Sequence, residues 1–124
     1  MKVLVVDDFA TMRKIIKNVL KQINIENVVE AENGKHALTV LQNDTVDLII
    51  SDWIMPEMTG IEFLKACKAD DNIKNIPFIM VTAEAQKDNI MEAIKSGVDN
   101  YIVKPFTPDK LSAAIDKAKA KALR

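Results

Sequence analysis

Asp7-Asp8, Asp52, Thr82 and Lys104 are residues whose types could do chemistry together, and each falls at the end of a short run with strand character. The runs are Lys2–Asp7, Leu48–Asp52, Pro77–Thr82 and Asn100–Lys104. In a parallel sheet the carboxyl ends of the strands share one edge, with neighbours about 5 Å apart, so the first and third runs, if adjacent, bring three carboxylates together. Two like charges about 4 Å apart repel by roughly 4 kcal/mol at an effective dielectric near 20, so such a cluster holds a proton or recruits a cation. Oxygen-only ligation without His or Cys suits Mg²⁺ or Mn²⁺, and an incomplete protein cage leaves coordination positions for water and phosphate oxygens. Thr82 and Lys104 add a hydroxyl and an ammonium, each able to contact an oxygen of a phosphoryl group. An Asp pair after a strand is by itself most often a turn or a helix cap. The informative pattern is that four of five strand ends carry a polar group of the right type.

The elements that must position these groups follow from the hydrophobic pattern. With Asn27–Glu30 as the remaining strand, strand-like runs alternate with longer helical patterns five times, as expected of βαβ units winding one parallel sheet. The first and third runs are almost continuously apolar and are expected to be central. Met12, Ile15, Ile16, Val19, Leu20 and Ile23 recur at spacings of three and four, predicting a first helix with one apolar stripe toward the sheet. Further helices are expected over Gly34–Leu41, Gly60–Lys68, Gln86–Ser96 and Pro108–Ala122, with Gly97 stopping the fourth. The last has Leu111 and Ile115 and then mainly alanines, while Lys117, Lys119, Lys121 and Arg124 read as a solvated face that complements the helix dipole. Open α/β sheets bind ligands beyond the carboxyl ends of their strands, where the polar groups fall.

Composition narrows the function classes. With 124 residues, 28% charged and 48% apolar, three Gly and four Pro, the chain reads as one globular domain over 1–124 and not as a disordered segment. Seventeen Lys and Arg against 18 Asp and Glu leave a net charge of −1, which argues against a nucleic-acid partner. Val3–Val6 is cut short by Asp7, and no run approaches the roughly 18 apolar residues that span a bilayer, so no membrane association is expected. The lone Cys67 has no partner for a disulfide within the chain and fits a reducing cytoplasm. It shares a helical face with Ile61 and Leu64 and reads as a core thiol. His36 has no second ligand at metal spacing and reads as a surface histidine.

Along its full length the chain resembles response-regulator receivers, through Val5-Val6-Asp7-Asp8-Phe9, Ser51-Asp52-Trp53, Met55-Pro56, Val81-Thr82-Ala83-Glu84 and Tyr101-Ile102-Val103-Lys104-Pro105-Phe106. Asp8-Phe9-Ala10-Thr11-Met12-Arg13, Asp52-Trp53 and Lys104-Pro105-Phe106-Thr107 look like the chemotaxis branch, the CheY type. The resemblance implies a flavodoxin-like α/β fold, a doubly wound five-stranded parallel sheet flanked by five helices, in the order 2-1-3-4-5 that flavodoxin and CheY share. It implies that Asp52 accepts a phosphoryl group from a sensor histidine kinase. Asp8, Asp52 and the carbonyl of Ile54 would bind Mg²⁺, Asp7 would assist through water, and Thr82 and Lys104 would read the phosphoryl group. Thr82 would then move toward the phosphate as Tyr101 turns inward, altering a face of the fourth helix, fifth strand and fifth helix. Lys87, Ile90, Tyr101, Val103 and Phe106 would line that face for a partner such as the flagellar switch protein. The resemblance also implies a cis Lys104-Pro105 peptide, which proline makes accessible. The expected protein is a cytoplasmic monomer, a switch with Mg²⁺-dependent self-phosphorylation and self-dephosphorylation and not a turnover enzyme.

The chain departs from its relatives two residues after the acceptor, where chemotaxis members typically carry Asn and this sequence has Ile54. A stiff apolar side chain offers water no hydrogen bond, which predicts slower self-dephosphorylation. The alanine-rich last helix is plain for a motor-binding regulator, which keeps open a phosphate sink that does not act on the motor. A receiver-like binding module that never takes phosphate would usually lose an acidic, Thr or Lys position, and none is lost. A phosphatase of the haloacid-dehalogenase type needs a second Asp where Ile54 stands. A flavodoxin-like electron carrier would meet carboxylates that repel its flavin phosphate.

Overall fold

The computed structural model describes residues 1–83, 87–104 and 106–122, with side chains described from 90 onward in the fourth helix and up to 120 in the fifth. Alternating runs become β1 (Lys2–Val6), α1 (Ala10–Gln22), β2 (Asn27–Ala31), α2 (Gly34–Asn43), β3 (Leu48–Asp52), α3 (Gly60–Ala69), β4 (Phe78–Thr82), α4 (Lys87–Lys95), β5 (Asn100–Val103) and α5 (Pro108–Ala122). The expected start of α4 at Gln86, the Lys87 side chain and the Lys104–Pro105 peptide lie outside the described residues.

All five strands are parallel, in the order β2-β1-β3-β4-β5. Period-two alternation sends the two sets of strand side chains to opposite faces. Val3, Val5, Leu48, Ile50, Ile79 and Val81 pack with Ile16, Leu20, Leu111 and Ile115 of α1 and α5. On the other face Leu4, Val6, Ile49, Phe78 and Met80 pack with Ala37, Phe63, Leu64 and Ala93 of α2, α3 and α4. Every residue of β3 and β4 is buried, as befits strands covered on both sides, whereas β5 is half-buried at the sheet edge. There the Tyr101 amide donates to the Asn100 side chain at 2.8 Å.

One packing expectation is corrected. Ile16, Val19 and Leu20 of α1 are buried and Met12 and Ile23 pack beside them, but Ile15 is 45% exposed. At 3.6 residues per turn Ile15 lies roughly 85° from the centre of the buried stripe, so spacing brings it near that face but not onto it.

Helix ends are specified locally. Asn24 (φ 67°) and Gly97 (φ 98°) take the left-handed conformation just past α1 and α4. In each case the following amide reaches back to the helix, Ile25 N–H to the Leu20 carbonyl at 2.9 Å and Val98 N–H to the Ala93 carbonyl at 3.1 Å. Thr59 and Glu62 form a reciprocal capping box at the start of α3.

Cys67 is buried on α3, and burial pushes its thiol up to about 12. Because the fold favours the neutral thiol, its contribution to stability is complete below the ordinary value of 9.0 and is lost as pH climbs toward 12. At pH 8 a disulfide-exchange reagent is expected to label native protein at least about a hundredfold more slowly than urea-unfolded protein, since labelling waits on opening. Equal rates would place the thiol at the surface. Among the described residues no helix is long and apolar enough to cross a membrane.

Candidate functional site

β1 and β3 are neighbours, with Val6 opposite Ser51, so Asp7 and Asp8 leave β1 beside Asp52 at the end of β3. Thr82 ends β4, and Lys104 follows β5 by one residue, with its amide donating to the Thr82 carbonyl at 2.8 Å. All five polar residues named from the sequence therefore sit along one edge. Asp7, Thr82 and Asp52 are 1%, 2% and 9% exposed. One carboxylate oxygen from each of Asp7, Asp8 and Asp52 lies within 4.8 Å of the others.

Main-chain donors orient two of these acids. Asp7 Oδ1 accepts from Phe9 N–H at 2.9 Å, and Asp52 Oδ1 accepts from Trp53 N–H at 2.8 Å. The Lys104 ammonium stands between them, 3.3 Å from Asp52 Oδ1 and 3.5 Å from Asp7 Oδ2. Among the described residues, one ammonium in ion contact against three carboxylates leaves excess negative charge in a largely buried region. Burial raises the Asp52 carboxyl above its ordinary range, the nearby Asp7 charge adds to the rise, and Lys104 opposes it. Burial likewise raises Asp7, opposed by the Phe9 amide and Lys104.

Among the described residues, Asp7 Oδ2 and Asp8 Oδ1 are buried and receive no hydrogen bond; Asp7 Oδ2 has the ion contact with Lys104. Buried carboxylate oxygens without donors are costly. A hard divalent cation fits this donor set, because it would satisfy both oxygens and discharge the cluster. The depression above the acids, about 330 Å³, is also lined by Thr82, Ala83, Lys104 and two exposed apolar side chains, Phe9 (66%) and Ile54 (64%).

The loop from β3 to α3 shapes the floor. The Met58 amide donates to the Pro56 carbonyl at 2.7 Å across Glu57, whose φ is 68°. This is a three-residue turn of the strained, positive-φ kind. Gly60 donates its amide to the Trp53 carbonyl at 2.8 Å, and a Cβ at this position would run into the Asp52 carbonyl and come within 2.9 Å of Trp53 Cα. Only glycine lets α3 start this close to the strand end that carries Asp52.

Of the residues expected on a partner face, Tyr101 and Val103 are half-buried on β5, Ile90 is half-buried on α4, and Phe106 packs against the α1/α5 layer. Tyr101 packs against the opposite core, the cluster that includes Ala93 of α4.

Residues 3–116 match the family model of the response regulator receiver domain. The chain belongs to that family. This receiver is 50% identical over 117 residues to the chemotaxis protein CheY of Pseudomonas aeruginosa, a match covering 94% of each chain. To chemotaxis protein CheY1 of Helicobacter pylori it is 49% identical over 117 residues, again 94% of each. In structure it resembles Vibrio cholerae chemotaxis protein CheY4, with a TM-score of 0.86 at 36% identity over 94% of this chain and 97% of that one.

Two side chains of the receiver edge went unassigned in the sequence. Arg13 Nη1 donates to the Asp7 carbonyl at 2.7 Å, and its Nε donates to Glu30 Oε1 at 3.2 Å. Arg13 lies in the Asp8–Arg13 stretch whose sequence resembles the chemotaxis branch, but its link to Glu30 spans 17 positions that no local pattern connects.

Proposed function

We propose that this chain is a phosphoacceptor switch of a two-component system of the chemotaxis kind, phosphorylated on Asp52. The observation that carries this reading is the pair of buried oxygens on Asp7 and Asp8 that accept no hydrogen bond from the described residues, beside Asp52, with the Lys104 ammonium in ion contact with Asp7 and Asp52. Asp7, Asp8, Asp52 and the Ile54 carbonyl would hold Mg²⁺, or Mn²⁺ in its place. When bound, the ion supplies charge neutralisation for the incoming phosphoryl oxygens.

The chain's own residues account for the rest. An Asp52 oxygen attacks phosphorus of a phosphohistidine on a sensor kinase, the phosphorus–nitrogen bond breaks, and its electron pair returns to the imidazole. Trp53 N–H, on Asp52 Oδ1, keeps one carboxylate oxygen engaged and leaves the other to react. The Lys104 ammonium, already 3.3 Å from Asp52, offsets negative charge gathering on the transferred group. The Thr82 hydroxyl, buried on the adjacent strand end, donates to a phosphoryl oxygen once one is present. Hydrolysis of the acyl phosphate restores the Asp52 carboxylate, so the mark is transient and the protein does not turn over a separate substrate. The answering surface comprises Lys87, Ile90, Tyr101, Val103 and Phe106, with the flagellar switch protein as the first partner to try. We read residues 1–124 as one receiver unit acting in the cytoplasm as a monomer.

The test is Trp53 emission during titration with phosphoramidate, with and without Mg²⁺, paired with mass spectrometry. A saturable change that needs Mg²⁺ and coincides with one added phosphoryl group is expected. No change and no added group would favour a phosphate-independent binding module. In the same assay Ile54→Asn is expected to speed decay of the phosphorylated protein by about threefold or more, because an amide can direct water where isoleucine cannot. An unaltered decay rate would show Ile54 to be neutral.

A further inference from the structure

The carboxyl end of β1 is held from two sides. On the strand side the Asp7 amide donates to the Ala31 carbonyl of β2 at 3.1 Å. On the helix side Arg13, one turn into α1, donates to the Asp7 carbonyl at 2.7 Å and to Glu30 at 3.2 Å. Glu30 precedes Ala31 in β2, and its other oxygen takes the Lys17 ammonium at 3.2 Å. The Arg13 side chain is only 16% exposed, and its bond to the Asp7 carbonyl is part-buried.

Helix stability does not account for Arg13. A cation near a helix N-terminus opposes the macrodipole, and the first turn of α1 has no acidic residue to compensate. The exposed half of the cluster, Lys17 with Glu30, is the kind of surface pair that contributes little. What Arg13 does hold is a particular peptide. The Asp7 carbonyl lies in the planar group that also contains the Asp8 amide and Cα, so fixing that oxygen fixes the direction in which Asp8 leaves the strand. Among the described residues Asp8 Oδ1 has no hydrogen bond to aim it, whereas the Asp7 carboxylate is aimed by the Phe9 amide on Oδ1 and by Lys104 beside Oδ2. The placement of Asp8 in particular therefore depends on the main chain beneath.

We propose that Arg13, clamped by Glu30, is a positioning residue for the metal: it holds the Asp7-Asp8 peptide so that both acids present their free oxygens to one cation. The inference rests on the reading of the acid cluster as a Mg²⁺ site, and it gives the edge strand β2 a part in metal affinity although β2 supplies no ligand. Partners behind metal ligands typically change affinity by about tenfold or more when removed.

Mg²⁺ titrations followed by Trp53 emission, beside urea melts, test this in wild type, Arg13→Lys, Arg13→Met, Glu30→Gln and the Arg13→Met/Glu30→Gln double variant. Arg13→Met is expected to weaken Mg²⁺ binding about tenfold. Arg13→Lys, which keeps the charge but not the fork, should fall between it and wild type. Glu30→Gln should weaken binding less, and not at all once Arg13 is gone, since the two act as one unit. Simple electrostatics predicts the opposite sign, because removing a positive charge beside three carboxylates would tighten Mg²⁺. Unchanged or tighter binding in both Arg13 variants would therefore overturn the proposal. If wild type gives no Mg²⁺ response, or Asp8→Asn responds as wild type does, the metal site itself falls and this inference with it.

Discussion

Asp52→Asn is expected to take up no phosphoryl group from phosphoramidate and, without divalent metal, to be more stable than wild type by about 1–2 kcal/mol. The two effects share a cause. Asp52 is 9% exposed, and burial together with the Asp7 charge raises its carboxyl despite Lys104. A carboxyl whose folded value lies above its unfolded one stabilises the fold while protonated, and that stability is lost as pH rises through the folded value. At neutral pH the ionised cluster thus works against folding. Asparagine removes one charge and keeps an oxygen for the Trp53 amide, while Lys104 retains Asp7 at 3.5 Å. Urea melts in chelator over a pH series starting near the ordinary carboxylate value of 3.8 check this, and the advantage of the variant should grow as pH rises from there. Adding Mg²⁺ should reverse the order, because only the intact cluster gains binding energy. A variant less stable at every pH would mean that the acids help hold the fold.

Gly60→Ala is expected to cost about 3 kcal/mol in urea melts, at the upper end for a single added methyl. Most such insertions are relieved by a side chain that turns away. Here the new Cβ meets main chain, the Asp52 carbonyl and Trp53 Cα, with Met80 Sδ at 3.0 Å behind them. To relieve the clash, either the start of α3 or the end of β3 must shift. The Gly60 amide bond to Trp53 and the capping box at Thr59 resist the first. The second displaces Asp52, so phosphoryl uptake should fall even where folded protein remains. A loss below about 1 kcal/mol would show that the loop yields easily.

How far the sequence carried depends on the distance over which each feature is determined. Strands, helices and their punctuation are local properties, and the apolar run of β3 or the glycine after α4 was readable without knowing what lay beside it. The acid cluster is not local, yet it was legible because a parallel sheet carries every strand's carboxyl end to one edge. Ile15 was misplaced because spacing defines an arc and not the width that the neighbouring layer covers. Arg13 and Glu30 passed unnoticed because, even with β2 expected beside β1, a charged pair on half-exposed elements 17 positions apart carries no signature. The tight turn at Glu57 was equally silent, since nothing about glutamate predicts a positive φ.

Asp7 leaves the first strand and Lys104 follows the last, so the two residues that touch across this edge lie near opposite ends of the chain. A nascent or partly folded molecule, however much sheet it has built, lacks the lysine until β5 docks. Contacts between such distant positions form late when the intervening loop entropy must be overcome first. If Asp52 is phosphorylated as proposed and Lys104 assists, competence to receive a signal would arrive only with the final strand, and an incompletely folded copy would stay mute instead of reporting falsely.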